Sequence, residues 1–233
     1  MAKKIGLVAM AAALVVLIVL CQTGGVVLKK RFAQNEEVSG KAEAGKNERV
    51  VVIDPGHGGL DGGKVGVNGV EEKEVNLKIS LKIKDILKQE NISVVMTRTE
   101  DERLAETQVE DLKARVSLMN EEKPALVVSI HQNSYHEESV HGAQVFYYAD
   151  STESERAAGI IQEALKEIDP DNTKAAKPNR TYYILKKTEV PVVIAECGFL
   201  SNYEEAEKLA DEEYRQKLAE AVAKGILEYI SAG

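Results

Sequence analysis

The chain predicts an α/β domain, a mostly parallel twisted sheet of about six strands flanked by helices and preceded by an N-terminal membrane anchor. Three observations predict it. Short aliphatic runs recur between turn signals, as strands buried on both faces require. Longer segments rich in leucine, lysine and glutamate lie between them, with helical content and length. The regular alternation of the two is the pattern of helices packed on a parallel sheet. At 233 residues, 44% hydrophobic and 29% charged, the chain holds one globular domain plus an appendage.

The appendage comes first. Residues 5–28 carry no charge and lie between Lys3, Lys4 and Lys29, Lys30, Arg31, a run long enough to cross a bilayer. No small-x-small cleavage site stands out, and the Leu-Ile-Val-Leu before Cys21 does not suit lipoprotein processing. An uncleaved signal anchor over 1–28 is therefore expected, with a cleaved secretory signal as the competing reading. Basic residues on both flanks leave the orientation open by charge alone. Residues 29–48 are polar and poor in large apolar side chains, as in a flexible linker, and 49–233 is expected to form the globular domain.

Within that domain, four aliphatics at 50–53 before Asp54 and Pro55-Gly56 predict the first strand. Six of the 17 glycines fall between Gly56 and Gly66, a density that aims a side chain or lets backbone approach a ligand. Residues 75–87 alternate like a strand and also form a helical stripe. Their length through Gln89 and the acidic entry Glu71, Glu72, Glu74 favour a helix. Strands follow at 92–97, 125–130, 143–148, 182–185 and 192–195. Helices are expected at 111–120, at 153–167, from about 203, and at 214–229.

Composition excludes some partners. A net charge of −8 and a pI near 5.2 argue against nucleic-acid binding, which needs a basic footprint. The absence of Trp and 5% aromatic content argue against broad stacking platforms. Cys21 and Cys197 do not read as a disulfide framework.

Sites in open α/β sheets form beyond the carboxyl ends of strands. Three such ends carry chemically capable residues: His57 after the first, His131 after the third and Glu196 after the last. Two imidazoles and a carboxylate with an open fourth position suit catalytic Zn²⁺, and a second carboxylate is needed to take a proton from the activated water. Glu72 and Glu196 are the candidates for those two roles.

Other readings are weaker. Residues 58–64, GGLDGGK, approach a phosphate-binding loop, but Val65 stands where the Mg²⁺-binding hydroxyl is required. Cys197 should face away from Glu196 on a strand, as a core thiol. His136 and His141 read as solvated loop residues. Arg115 is expected to support its helix and neighbouring loops away from the strand ends. Lys174, Lys177 and Arg180 form a basic cluster that is either solvated or meets substrate carboxylates.

IDPGHGGLDGG (53–63), EEKEVNL (71–77), VVMTRTED (94–101), LKARVSLMN (112–120), SIHQNS (129–134) and PVVIAECGFLSN (191–202) together resemble the zinc-dependent N-acetylmuramoyl-L-alanine amidases of bacterial cell walls, the type-3 amidase domain, over residues 50 to about 230. The resemblance implies zinc bound by His57, Glu72 and His131, with Glu196 as the catalytic carboxylate and Glu71 as a solvated charge at the helix start. It implies peptidoglycan as substrate and cleavage between muramic acid and the L-alanine of the stem peptide. That function puts the domain outside the membrane, in the cell envelope or forespore intermembrane space, or secreted if the signal is removed.

Within the family, the single anchor, the lack of wall-binding repeats and HGAQVFYY (141–148) are similar to the germination-specific amidases of spore formers. This implies action on spore cortex, with a vegetative wall amidase as the alternative. No long inserted helix of the groove-blocking kind is evident, so control by an activating protein partner is left open. A non-catalytic, membrane-tethered wall-binding module is the reading from a different class.

Overall fold

The structure, a computed structural model, describes residues 50–232; the expected anchor and linker lie outside the described residues. A six-stranded sheet in the order β2-β1-β3-β6-β4-β5 forms the centre. Its strands are β1 (Val50–Pro55), β2 (Ser93–Met96), β3 (Leu126–Asn133), β4 (Gln144–Tyr148), β5 (Lys177–Asn179) and β6 (Val192–Phe199). The sheet is mixed: β4 runs antiparallel to β6, and every other pairing is parallel.

Helices cover both faces. On one, α1 (Glu72–Gln89), α3 (Thr152–Ile168), α5 (Tyr203–Ala210) and α6 (Glu212–Ser231) pack over Val51, Ile53, Val128, Ile130, Val193 and Ala195. On the other, α2 (Gln108–Glu122) and the short α4 (Tyr183–Lys187) cover Val52, Val127, Phe146 and Ile194. Adjacent residues of β1 thus enter different cores, which is why the aliphatic run is continuous. In α1, Val75, Ile79, Ile83 and Leu87 are at most 1% exposed. This is the helical stripe expected of the ambiguous segment through Ile83, with Leu87 buried in place of the expected Ile86, which is only partly buried; each large aliphatic contributes about 1.5–3 kcal/mol on burial.

Two differences from expectation matter. The strands β3 and β6 run past their aliphatic stretches, so His131 and Glu196 lie inside paired strands, as register partners. The parallel ladder continues because the backbone can pair irrespective of the side chains it carries. Residues 182–185 are not a strand; Tyr183–Lys187 is a helical turn that buries Ile184 and Leu185, and the edge strand lies earlier, at Lys177–Asn179. Short apolar runs carry no period long enough to separate the two. Cys197 is in the core on the face opposite Glu196, as alternation requires, and burial pushes its thiol up to about 12.

Candidate metal centre and active site

The glycine loop after β1 serves as both a helix cap and a support for His57. Carbonyls of Lys64 and Gly62 accept from the amides of Glu72 and Lys73 at 2.8 and 3.1 Å. They satisfy donors that the first turn of α1 would otherwise leave open. This sets Glu72 as the first helical residue, 3% exposed, whereas Glu71 precedes the helix with a side chain 42% exposed beside Lys73.

Strand register brings the rest together. His131 and Glu196 are paired across β3 and β6, and residues so paired present side chains on the same face. Gly56 leads on from β1 beside them, its amide donating to the Ile130 carbonyl at 3.0 Å. A Cβ at Gly56 would lie 2.3 Å from the His131 ring, so the imidazole occupies the space glycine leaves. Gly63, at φ 69°, is equally constrained: a Cβ there would come within 2.6 Å of Glu72 Oε2 and 2.7 Å of His57 Cδ2.

Glu72 stands between the two imidazoles. His131 Nδ1 is 2.9 Å from its Oε1 and His57 Nε2 is 3.3 Å from its Oε2. One donor atom from each of the three residues falls within a 4.8 Å group capable of holding a metal ion. The carboxylate is further oriented by the amides of Lys64 and Gln132 at 2.9 and 3.1 Å and by Asn76, whose amide is 3.4 Å away. Burial works to raise the Glu72 pKa, but the hydrogen bonds and charges of His131 and His57 outweigh it and hold the carboxyl well below its usual range. Burial would lower the His57 pKa; bonds to Glu72 and Asp61 raise it instead to about 9. Asp61 Oδ2 sits 3.0 Å from His57 Nδ1, the outer carboxylate that fixes which ring nitrogen faces the centre.

Glu196 completes the cleft. It is 8% exposed, its Oε2 has no hydrogen-bond partner, and burial, with the nearby charge of Glu72, raises its pKa to about 7. A buried carboxylate left without a donor beside a three-donor cluster fits a bound cation and a water that would approach it. The donor set itself, imidazole nitrogen and carboxylate oxygen, fits a divalent transition metal. His57, Lys64, Glu72, His131, Tyr182 and Glu196 all line a cleft of about 340 Å³, within the range of ligand sites.

Two buried arginines hold the loop that carries His57, which itself has φ 61°, a left-handed conformation uncommon outside glycine. Arg115 donates to Asp54 Oδ1 and to the Pro55 carbonyl at 2.8 Å each, and to the His57 carbonyl and Asp111 Oδ2 at 2.7 Å each. Arg98 donates to the carbonyls of Pro55 and Gly56, both at 3.0 Å. Three successive carbonyls thus point at guanidinium groups. Burial would raise the Asp54 pKa, but Arg115 and the hydroxyls of Ser129 and Thr97 hold it below the usual carboxylate value. Arg115 supports its own helix and the neighbouring loop as expected, but it is not away from the strand ends: it also reaches the end of β1, because a helix residue with a long side chain spans the distance that its Cα does not.

The other predicted residues fall as follows. His136 and His141 are exposed loop residues. Arg180 pairs with Asp150, Lys174 donates to the His141 carbonyl, and Lys177 lies 5.9 Å over the Phe146 ring. Sequence reasoning did not single out Asp61, Asn76 or Arg98. Asp61 carried a signal, a carboxylate four residues after the histidine in the same loop; Arg98 and Asn76 work through distant backbone and side chains and carried none.

Residues 51–228 match the family model described as N-acetylmuramoyl-L-alanine amidase. The germination-specific N-acetylmuramoyl-L-alanine amidase of Bacillus subtilis is 37% identical over 191 residues, covering 78% of this chain and 80% of that relative. Among solved structures, the CwlD amidase of Clostridioides difficile in complex with the GerS lipoprotein is similar with a TM-score of 0.77. It shares 35% identity, covering 79% of this chain and 100% of that one. The catalytic domain of CwlV, an amidase from Paenibacillus polymyxa, is similar with a TM-score of 0.70 and 33% identity, over 79% of this chain and 99% of that one. With the fold, the three-donor cluster and the buried carboxylate in one cleft, the chain belongs to the N-acetylmuramoyl-L-alanine amidase family.

Proposed function

We infer that this amidase is zinc-dependent and that His57, Glu72 and His131 hold the ion while Glu196 moves the proton. The observation that carries the reading is the opposition, in one cleft, of a three-donor cluster and a buried carboxylate oxygen with no partner. Zinc bound there supplies Lewis-acid activation of water and of the scissile carbonyl. Asp61 keeps the His57 proton on Nδ1, leaving Nε2 to donate its lone pair. Glu196 accepts the proton of the attacking water and returns it to the amine nitrogen of the departing L-alanine. Its burial keeps its basicity high enough for the first transfer and its acidity sufficient for the second.

The test is metal content. The purified chain is expected to carry one equivalent of zinc, and His57→Ala, Glu72→Gln and His131→Ala to lose it together with activity. Retention of tight zinc by any of the three would remove that residue from the ligand set.

The role in spore cortex is supported by the similarity to the germination-specific amidase of Bacillus subtilis, and action on a vegetative wall is the alternative. The complex of the similar Clostridioides difficile amidase with a lipoprotein supports control by a protein partner. Attachment through residues 1–28, with the catalytic domain extracytoplasmic, agrees with a peptidoglycan substrate. Among the described residues no helix is long and apolar enough to cross a membrane.

A further inference from the structure

The substrate of an amidase leaves the scissile bond in two directions, and the site offers a recess on either side of His57 and His131. One is the cleft shared by Lys64, Tyr182 and Glu196. The other, of about 290 Å³, is walled by Val109, Leu112 and Ile184 above Arg115. They differ in available positive charge. In the apolar recess the Arg115 guanidinium is already occupied by Asp54, Asp111 and two carbonyls. In the polar cleft Lys64 is the one lysine or arginine in the lining, and it makes no ion pair among the described residues. The neighbouring Lys73, by contrast, is held by Asp101 and Glu71.

Lys64 is also fixed in place. Its amide donates to Glu72 Oε2 at 2.9 Å and its carbonyl accepts from the Glu72 amide at 2.8 Å. Its Cα is therefore tied to the carboxylate at the centre of the site, while its side chain is exposed. An extended lysine side chain reaches about 6 Å from Cα, and two peptide residues span at most about 7 Å. A carboxylate on the second residue of the stem peptide lies at that distance from the scissile carbonyl.

We propose that Lys64 is a specificity-determining residue that binds a free α-carboxylate on the second residue of the stem. It makes the enzyme select stems with an anionic second residue over those in which that group is a carboxamide. This rests on the amidase reading above. The ammonium makes a charge-assisted bond to the carboxylate and only a weaker one to the neutral amide. It also offsets the repulsion that Glu72 and Glu196 exert on an anion entering their cleft.

The experiment compares two synthetic substrates, muramoyl-L-alanyl-D-isoglutamate and muramoyl-L-alanyl-D-isoglutamine, with the full-length protein. The wild type is expected to favour the carboxylate about tenfold in kcat/KM, the value of one hydrogen bond to a charged group. Lys64→Gln should bring the ratio towards one, chiefly through a higher KM for the acid, and Lys64→Arg should keep most of it. High salt should shrink the wild-type ratio. A wild type without preference, or a ratio that Lys64→Gln leaves unchanged, would overturn the assignment. If the wild type cleaved neither substrate and the same preparation left whole peptidoglycan uncut as well, the amidase reading would fall and the Lys64 assignment with it.

Discussion

Replacing Arg115 with methionine removes the group that ties the end of β1 to α2 while keeping most of the aliphatic volume. Four hydrogen bonds of 2.7–2.8 Å are lost at once. Asp54, 0% exposed, keeps only the hydroxyls of Ser129 and Thr97 at 2.6 Å each against its buried charge. Breaking a buried pair on one side costs about 3–5 kcal/mol. At 2–4 °C per kcal/mol for a domain of this size, the melting temperature should fall by roughly 10 °C. Removing the stranded charge as well, in Asp54→Asn with Arg115→Met, should recover part of the loss. The cycle then shows a coupling of at least about 1 kcal/mol. Thermal melts of the four proteins at pH 7 provide the measurement. A single variant melting within about 2 °C of wild type, or strictly additive effects, would refute the view that this pair supports the loop. Zinc affinity should also weaken in Arg115→Met, because the His57 carbonyl loses its donor and the left-handed turn its restraint.

Three further outcomes are expected. Gly56→Ala forces a Cβ to within 2.3 Å of the His131 ring. It should lower stability by about 1–3 kcal/mol and abolish zinc binding with native secondary structure intact by circular dichroism. Glu196→Gln should keep zinc and lose about 10²- to 10⁴-fold in kcat; near-wild-type turnover would remove Glu196 from the proton path. The pH profile should report the same group. Because the role proposed for Glu196 requires its ionised form and its pKa is raised to about 7 by burial, kcat/KM should fall as pH drops through 7 or somewhat below, a bound dication lowering the midpoint. That acidic limb should vanish from the residual activity of Glu196→Gln.

The candidate site was legible where chemistry and local pattern coincide. His57, His131 and Glu196 each end or follow a run of aliphatics that could only be a buried strand, so their convergence followed from the topology of a parallel sheet. Choosing Glu72 over Glu71 needed the family resemblance, since both precede the same helix; in the structure the cap carbonyls of the glycine loop decide it. What was not legible depends on groups distant in sequence. Arg98 and Arg115 act on carbonyls of residues 55–57, and a carbonyl leaves no trace in residue type. The edge strand β5, Lys-Pro-Asn, has no apolar signal because it pairs through backbone alone. The turn at Tyr183–Lys187 buries only Ile184 and Leu185, too few residues to show a helical period. Lys64 was visible only as the tail of a failed phosphate-loop pattern, and its place in the cleft follows from two hydrogen bonds to Glu72.

The most direct test is to identify the bond that is cut. Peptidoglycan incubated with the full-length protein should release stem peptides with a free amino-terminal L-alanine, detected by mass spectrometry. The release should stop with a chelator and resume when zinc is restored. Products cleaved at any other bond, or the same products formed at full rate under chelation, would contradict the account.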